Sequence, residues 1–185
     1  MNIFYLHEEP KTCAEQHLDK HVVKMLIEYA QLMSTAHRML DGQEYVAKSK
    51  TGRKVTRYRL DNPNEEATVY KACHLNHPSA VWVRKSAYNY WWLYRMWSHL
   101  HEEFQIRYGK DHKSYVVLKE LLRNPPKNIP LNIPFNQPTQ AMPDDVKNED
   151  SIIAYRDYYV KYKKDFATWK TSIPEWYSEG INANV

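Results

Sequence analysis

The pattern between residues 11 and 40 constrains this chain most. Pro10 precedes it, Gly42 follows it, and the interval reads as one long helix. At about 100° per residue, Val22, Met25, Tyr29, Leu32 and Ala36 fall within roughly 40° of Leu18. Leu26 and Met33 widen that core stripe, and Val23, Ile27 and Ala30 form a second apolar zone on another side. Lys20, Gln31, Lys24, His17, Thr35, Glu28 and His21 are left in a narrow arc. A helix lying on a surface has one apolar stripe and a wide polar arc. Two apolar sides imply a largely buried helix whose polar strip lines a cleft, where charges are partly desolvated and pKa values move. The competing reading is a solvated face. Lys24 and Glu28 form an i, i+4 pair in the less favourable Lys-first order, and such pairs contribute little.

The remaining segments suggest a mainly α, single-domain helical bundle spanning residues 1–185. Residues 2–6 are a short apolar run, read as extended. Residues 43–61 carry Lys48, Lys50, Arg53, Lys54, Arg57 and Arg59, and read as a basic loop or weak hairpin around Thr51-Gly52. That stretch is either a solvated loop or one that tracks phosphates. Asn62-Pro63 followed by Glu65 and Glu66 starts a helix running to about residue 74. Pro78 opens a second long helix to about Tyr108, with His77 as its cap and Gly109 as its terminator. A shorter helix fits 111–123, and a last one fits 149–171, ahead of Trp176 and Tyr177. Proline at 126, 130, 134 and 138 forbids helix and central strand, so 124–143 is an extended segment wrapping the surface.

Fifteen Tyr and six Trp against four Gly describe a ring-filled core, a stacking surface, or both, and argue against Gly-rich phosphate loops. The net charge of +4 permits a nucleic-acid partner without demanding one. Cys13 and Cys73 form no CxxC and read as free thiols of a reducing cytoplasm. The N-terminal apolar run is too short for a signal peptide. "YNYWWLYRMW", broken by Asn89 and Arg95, is too short to span a bilayer. The expectation is a soluble cytoplasmic protein.

Three motifs follow in order. The first helix reads D-K-x-x-x-K-x-x-x-E-x-x-Q, as Asp19, Lys20, Lys24, Glu28 and Gln31. "NHPSAVWVR" supplies Asn76, His77, Pro78, Trp82 and Arg84, and "FQIRYGKDH" supplies Arg107, Tyr108, Gly109 and His112. Together they resemble the pyrimidine-dimer DNA glycosylases, the phage endonuclease V type and its bacterial relatives, over residues 1–112. Residues 113–185 lie outside the resemblance, as a C-terminal extension wrapping the core. The resemblance implies a metal- and cofactor-independent helical enzyme of a bacterial or phage-infected cell. Such an enzyme cuts the N-glycosidic bond of a damaged pyrimidine nucleotide and then nicks the strand by β-elimination as an AP lyase. It implies an N-terminal α-amine as nucleophile, here that of Met1. Such amines titrate near about pH 8 and attack C1′ to form a Schiff base. It also implies Glu28 as catalytic carboxylate, with Lys24 and His21 as electrostatic and proton partners. Lys20, His17, Gln31, His77, Arg84 and Asn89 are the expected substrate contacts, His77 through the free N–H groups of a helix start. Asn89 sits in an apolar stripe and needs a partner, either structural or a base.

Other readings stay open at this level. One is a non-catalytic nucleic-acid-binding protein of the same fold. Another is an enzyme acting on a free nucleotide. A third is a metal-dependent hydrolase using His17, His21 and Glu28, with Cys73, His74 and His77 as further ligands.

Overall fold

The helical stretch at 11–40 breaks in two. The computed structural model describes residues 1–183, with helix α1 at Pro10–Glu15 and α2 at Asp19–Asp41. No Pro or Gly lies between them, so the cause is tertiary. The buried guanidinium of Arg107 donates to the carbonyls of Glu15 (2.8 Å) and His17 (2.7 Å). The Trp169 indole donates to that of Gln16 (3.0 Å). These carbonyls are drawn off the helix axis, and the Asp19 N–H finds Thr168 O instead of a helical partner.

The second long helix breaks likewise, into α4 (Pro78–Lys85) and α5 (Ala87–Tyr108). Ser86 is extended at φ −151°, ψ 140°, and its hydroxyl both donates to Ile133 O and caps α5 at the Tyr88 N–H. Ala87 N–H donates to Pro130 O, so the proline-rich segment is laced to the break. Gly109, at φ +65°, ends α5 in the left-handed conformation that glycine adopts freely. Short helices α3 (Pro63–Thr68) and α6 (Lys113–Leu118) replace the longer ones expected over 62–74 and 111–123. The interval 149–171 resolves into α7 (Ser151–Tyr162) and a 3₁₀ turn at Lys164–Phe166, and α8 (Glu175–Ala183) follows. Residues 124–143 contain no helix or strand, as the prolines require.

Strands β1 (Gln43–Lys48) and β2 (Lys54–Arg59) form an antiparallel hairpin, with Lys48 opposite Lys54 and Gln43 opposite Arg59. Its tip closes with Gly52 at φ +80° and the Gly52 N–H on Ser49 O.

The core lies between α2 and α5. Leu18, Val22, Met25, Leu26, Tyr29, Leu32 and Met33 meet Leu93, Met96, Trp97, Leu100 and Phe104, all buried, and the Trp97 indole donates to Leu26 O (2.9 Å). The second apolar zone of α2 is corrected. Val23 and Ile27 are 38% and 41% exposed, and only the stretch from Leu32 to Arg38 is buried all round. Residues Ile3–Leu6 are buried but belong to no sheet. Their backbone is held by side chains. Phe4 N–H donates to Tyr29 Oη (3.2 Å), Phe4 O accepts from Cys13 Sγ, and Leu6 O accepts from Arg156 Nε (3.0 Å). Tyr155 and Tyr159 of α7 belong to the same core cluster. No helix among the described residues is long and apolar enough to cross a membrane.

Candidate active site

The threaded N-terminal segment ends where the polar strip of α2 begins. The Met1 amine lies 3.7 Å from Glu28 Oε2, and Lys24 Nζ lies 3.3 Å from Glu28 Oε1. The Glu28 side chain is 17% exposed and that of Lys24 67%, so the carboxylate is half-sunk and its lysine reaches outward. A pocket of about 280 Å³ opens here, lined by Met1, Asn2, Phe4, His21, Lys24, Met25, Glu28, Ala141, Tyr158 and Lys163. Its size is at the lower end of ligand cavities, enough for one small polar group or a single nucleoside rather than a large ligand.

Three segments distant in sequence build this pocket. Residues 1–4 carry the amine to it. Helix α2 presents His21, Lys24 and Glu28 at i, i+3 and i+7 on one face. Ala141 of the proline-rich segment, Tyr158 of α7 and Lys163 just beyond it close the remaining side. Lys163 Nζ stands 4.4 Å from the centre of the Tyr158 ring. Lys20 lies beside the pocket, its Nζ 4.8 Å over the Phe166 ring.

His21 is nearly buried. Its ring stacks on Phe4 at 4.1 Å, and Nδ1 bonds the Tyr159 hydroxyl at 2.7 Å. Burial, aided by the positive field of Lys163 and Lys24, pushes its pKa down to about 2. The imidazole is therefore neutral at physiological pH and acts there as a hydrogen-bonding group, not as a cation. His77 caps α4 through Nδ1, which accepts from the Ser79 N–H (3.2 Å). Burial first, and then the Met1 amine, lower the pKa of His77, while Glu28 raises it. His77 at the start of α4 thus lies within electrostatic range of the amine–carboxylate pair.

Comparison of the chain with family models, with curated proteins and with solved structures returned no match.

Met1, Lys24, Glu28 and His21 are brought together, with Lys20 and His77 at the margins. Four expected contacts sit elsewhere. His17 is fully buried, with Nδ1 on Cys13 O and Nε2 on the Tyr29 hydroxyl, both at 2.8 Å, so neither nitrogen is free for a substrate. Asn89 is fully buried, donating to Trp82 O and Asn136 Oδ1, each at 3.0 Å. The structural alternative for Asn89 is the one observed. Arg84 donates to Leu75 O (2.7 Å) near the far end of α4, and Gln31 is half-buried on α2 outside the pocket lining. The ligand set His17, His21 and Glu28 does not converge, and among the described residues no group of three or more His, Cys, Asp or Glu is placed to hold a metal. Asn2, Phe4, Ala141, Tyr158 and Lys163 were not singled out by the sequence. The one available signal was the basic and aromatic interleaving of "YYVKYKKDF".

Proposed function

We propose that this chain cleaves the N-glycosidic bond of a damaged or modified pyrimidine nucleotide in DNA, with the α-amine of Met1 as nucleophile and Glu28 as catalytic carboxylate. One observation carries the reading. An amine and a carboxylate stand 3.7 Å apart in a small polar pocket, with Lys24, Lys163 and the rings of Phe4 and Tyr158 on its walls. The ordered motifs resembling the pyrimidine-dimer glycosylases support the same choice.

In this reading the target nucleotide leaves the stack and enters the pocket, where the Tyr158 ring offers a wall for the base or sugar. The neutral amine attacks C1′. A C1′–N bond forms as the C1′–base bond breaks, and the base departs with the bonding electrons and takes up a proton. Glu28 receives the excess amine proton and passes it to O4′ as the sugar ring opens, leaving an iminium. The same carboxylate then removes a proton from C2′, the C3′–O bond breaks, and the 3′ phosphate leaves with its electrons. Water hydrolyses the remaining iminium. While ionised, as the C1′–base bond breaks, the Glu28 carboxylate stabilises the cationic sugar. Lys24 and Lys163 are cations for the flanking phosphates.

The test uses UV-irradiated duplex DNA for base release and a duplex with an abasic site for strand nicking. Glu28→Gln lowers both by about 10²- to 10⁴-fold, the usual weight of a positioned proton-transfer group. Its melting temperature stays near that of the parent. Unchanged rates remove Glu28 from the mechanism. Borohydride added during turnover traps a covalent DNA adduct on the Met1 peptide, located by mass spectrometry. An active protein that yields no adduct has no Schiff base. Both activities persist in EDTA.

A further inference from the structure

The basic hairpin is left unexplained by the pocket. We infer that β1–β2 is a rigid arm that grips the phosphate backbone of duplex DNA several base pairs away from the nucleotide in the pocket. The inference rests on the glycosidic reading of the pocket for its choice of polymer.

Charge is the first ground. Lys48, Lys50, Arg53 and Lys54 surround the tip, all exposed, with Arg57 half-buried below them. Among the described residues, none of these five forms an ion pair with a carboxylate. The register sets Lys48 directly opposite Lys54. Like charges facing each other across a ladder destabilise a hairpin. A short two-stranded ribbon has little stability in reserve for such a pair, so the arrangement suits a bound polyanion.

Anchoring is the second ground. The root of the arm is clamped by Arg38 of α2, whose buried guanidinium donates to Tyr58 O (2.8 Å), Tyr70 O (2.7 Å), Val69 O (2.7 Å) and Glu66 O (3.0 Å). It also bonds the Glu66 carboxylate (2.6 Å), which in turn accepts from the Leu60 N–H (2.8 Å). Gly42 joins arm and helix where a Cβ would lie 2.4 Å from Arg38 O. The arm thus leaves the body at a fixed root rather than on a loose loop.

Spacing is the third ground. From Glu28 to Asp41, at the root of the arm, is about 20 Å along α2 at about 1.5 Å per residue, or about six base pairs of duplex at about 3.4 Å each, and strand β1 carries the cationic tip about 20 Å from that root. A duplex is stiff over about 150 base pairs. Two fixed contacts several base pairs apart therefore reinforce each other on a duplex, whereas a free nucleotide reaches only one of them. A two-stranded ribbon also fits the major groove. An anionic membrane is the poorer match, because Val46, 67% exposed, is an isolated aliphatic residue on the arm and Tyr45 lies under the Arg59 guanidinium at 4.9 Å.

The experiment measures binding of the full chain carrying Glu28→Gln to a 24-base-pair DNA duplex across a salt series. A second protein adds Lys48→Gln, Lys50→Gln, Arg53→Gln and Lys54→Gln, all on the exposed tip. Equal melting temperatures show that both are folded. The arm variant is expected to bind the duplex at least about tenfold more weakly. The slope of log affinity against log salt should be shallower by about three to four, near one for each lost phosphate contact. Parent-like affinity and slope overturn the inference. So does an equal loss on a single strand of the same sequence, or a loss confined to phosphatidylserine vesicles. Arm-dependent duplex binding beside unchanged base release by Glu28→Gln would remove the pocket reading and leave the arm.

Discussion

Met1 reaches Glu28 because of a relay of single groups. Cys13 O can only accept, so His17 Nδ1 carries the proton and Nε2 accepts from the Tyr29 hydroxyl, whose oxygen accepts the Phe4 N–H. Tyr29→Phe leaves the Phe4 N–H and His17 Nε2 unpaired in the core. It should cost about 2 kcal/mol in urea unfolding, and it should slow adduct formation at Met1 by loosening the segment that carries the amine. The histidines also set an acid limit. Burial lowers His17 and His37 to about 4, from about 6.5 when unfolded. Above pH 6.5 both are neutral in either state and cost nothing. As pH falls from 6.5 to 4 the unfolded chain takes up protons that the folded one refuses, so stability drops by several kcal/mol in all, and His21, lowered to about 2, extends the loss below pH 4. Melting temperatures over pH 4–7 check this, and His37→Gln should flatten the curve. Of this residue-level detail, the Lys24–Glu28 pair and the cap at His77 were legible as spacings. The burial of His17 was not. It shares the angular sector of Glu28, and only the chain turning at 16–18 carries it into the core.

At the level of elements, the sequence marks helices well and their ends unevenly. Gly109 and the caps Asn62 and His77 act where they stand in the sequence, since each closes its helix with its own backbone or side chain. The break at 16–18 carries no such punctuation, whereas Ser86 caps α5 with its own hydroxyl inside an unbroken apolar pattern. Arg107 decides the first. Its buried guanidinium meets Asp19 (3.1 Å), Glu103 (2.8 Å) and two carbonyls. Arg107→Met strands two carboxylates without a countercharge. It is expected to destabilise by about 3–5 kcal/mol, read from urea denaturation, and to disorder the start of α2 in hydrogen exchange. The motif containing Arg107 resembles part of a glycosylase pattern, and in the structure the residue holds the joint between α1 and α2.

On the scale of the whole molecule, the region from 113 onward is part of the body rather than an appendage. Tyr155 and Tyr159 lie in the common core, and Ala141, Tyr158 and Lys163 line the pocket. A chain ending at residue 143 would expose Phe4 and His21, and it should lose cooperative melting by near-UV circular dichroism together with any pocket activity. The sequence by itself determined a mainly α body, because 3.6-residue apolar periodicity and helix caps act within one segment. It also determined the extended stretch at 124–143 and the basic turn at Gly52, because proline and glycine restrict or free the backbone locally. Only the tertiary structure decided where α1 and α2 part, which polar groups of the strip are sunk, and that the amine of residue 1 meets the carboxylate of residue 28. Those outcomes depend on donors and acceptors brought together from distant positions, such as Arg107 with His17, 90 residues apart, and Trp169 with Gln16, 153 apart. No local spacing encodes such a meeting.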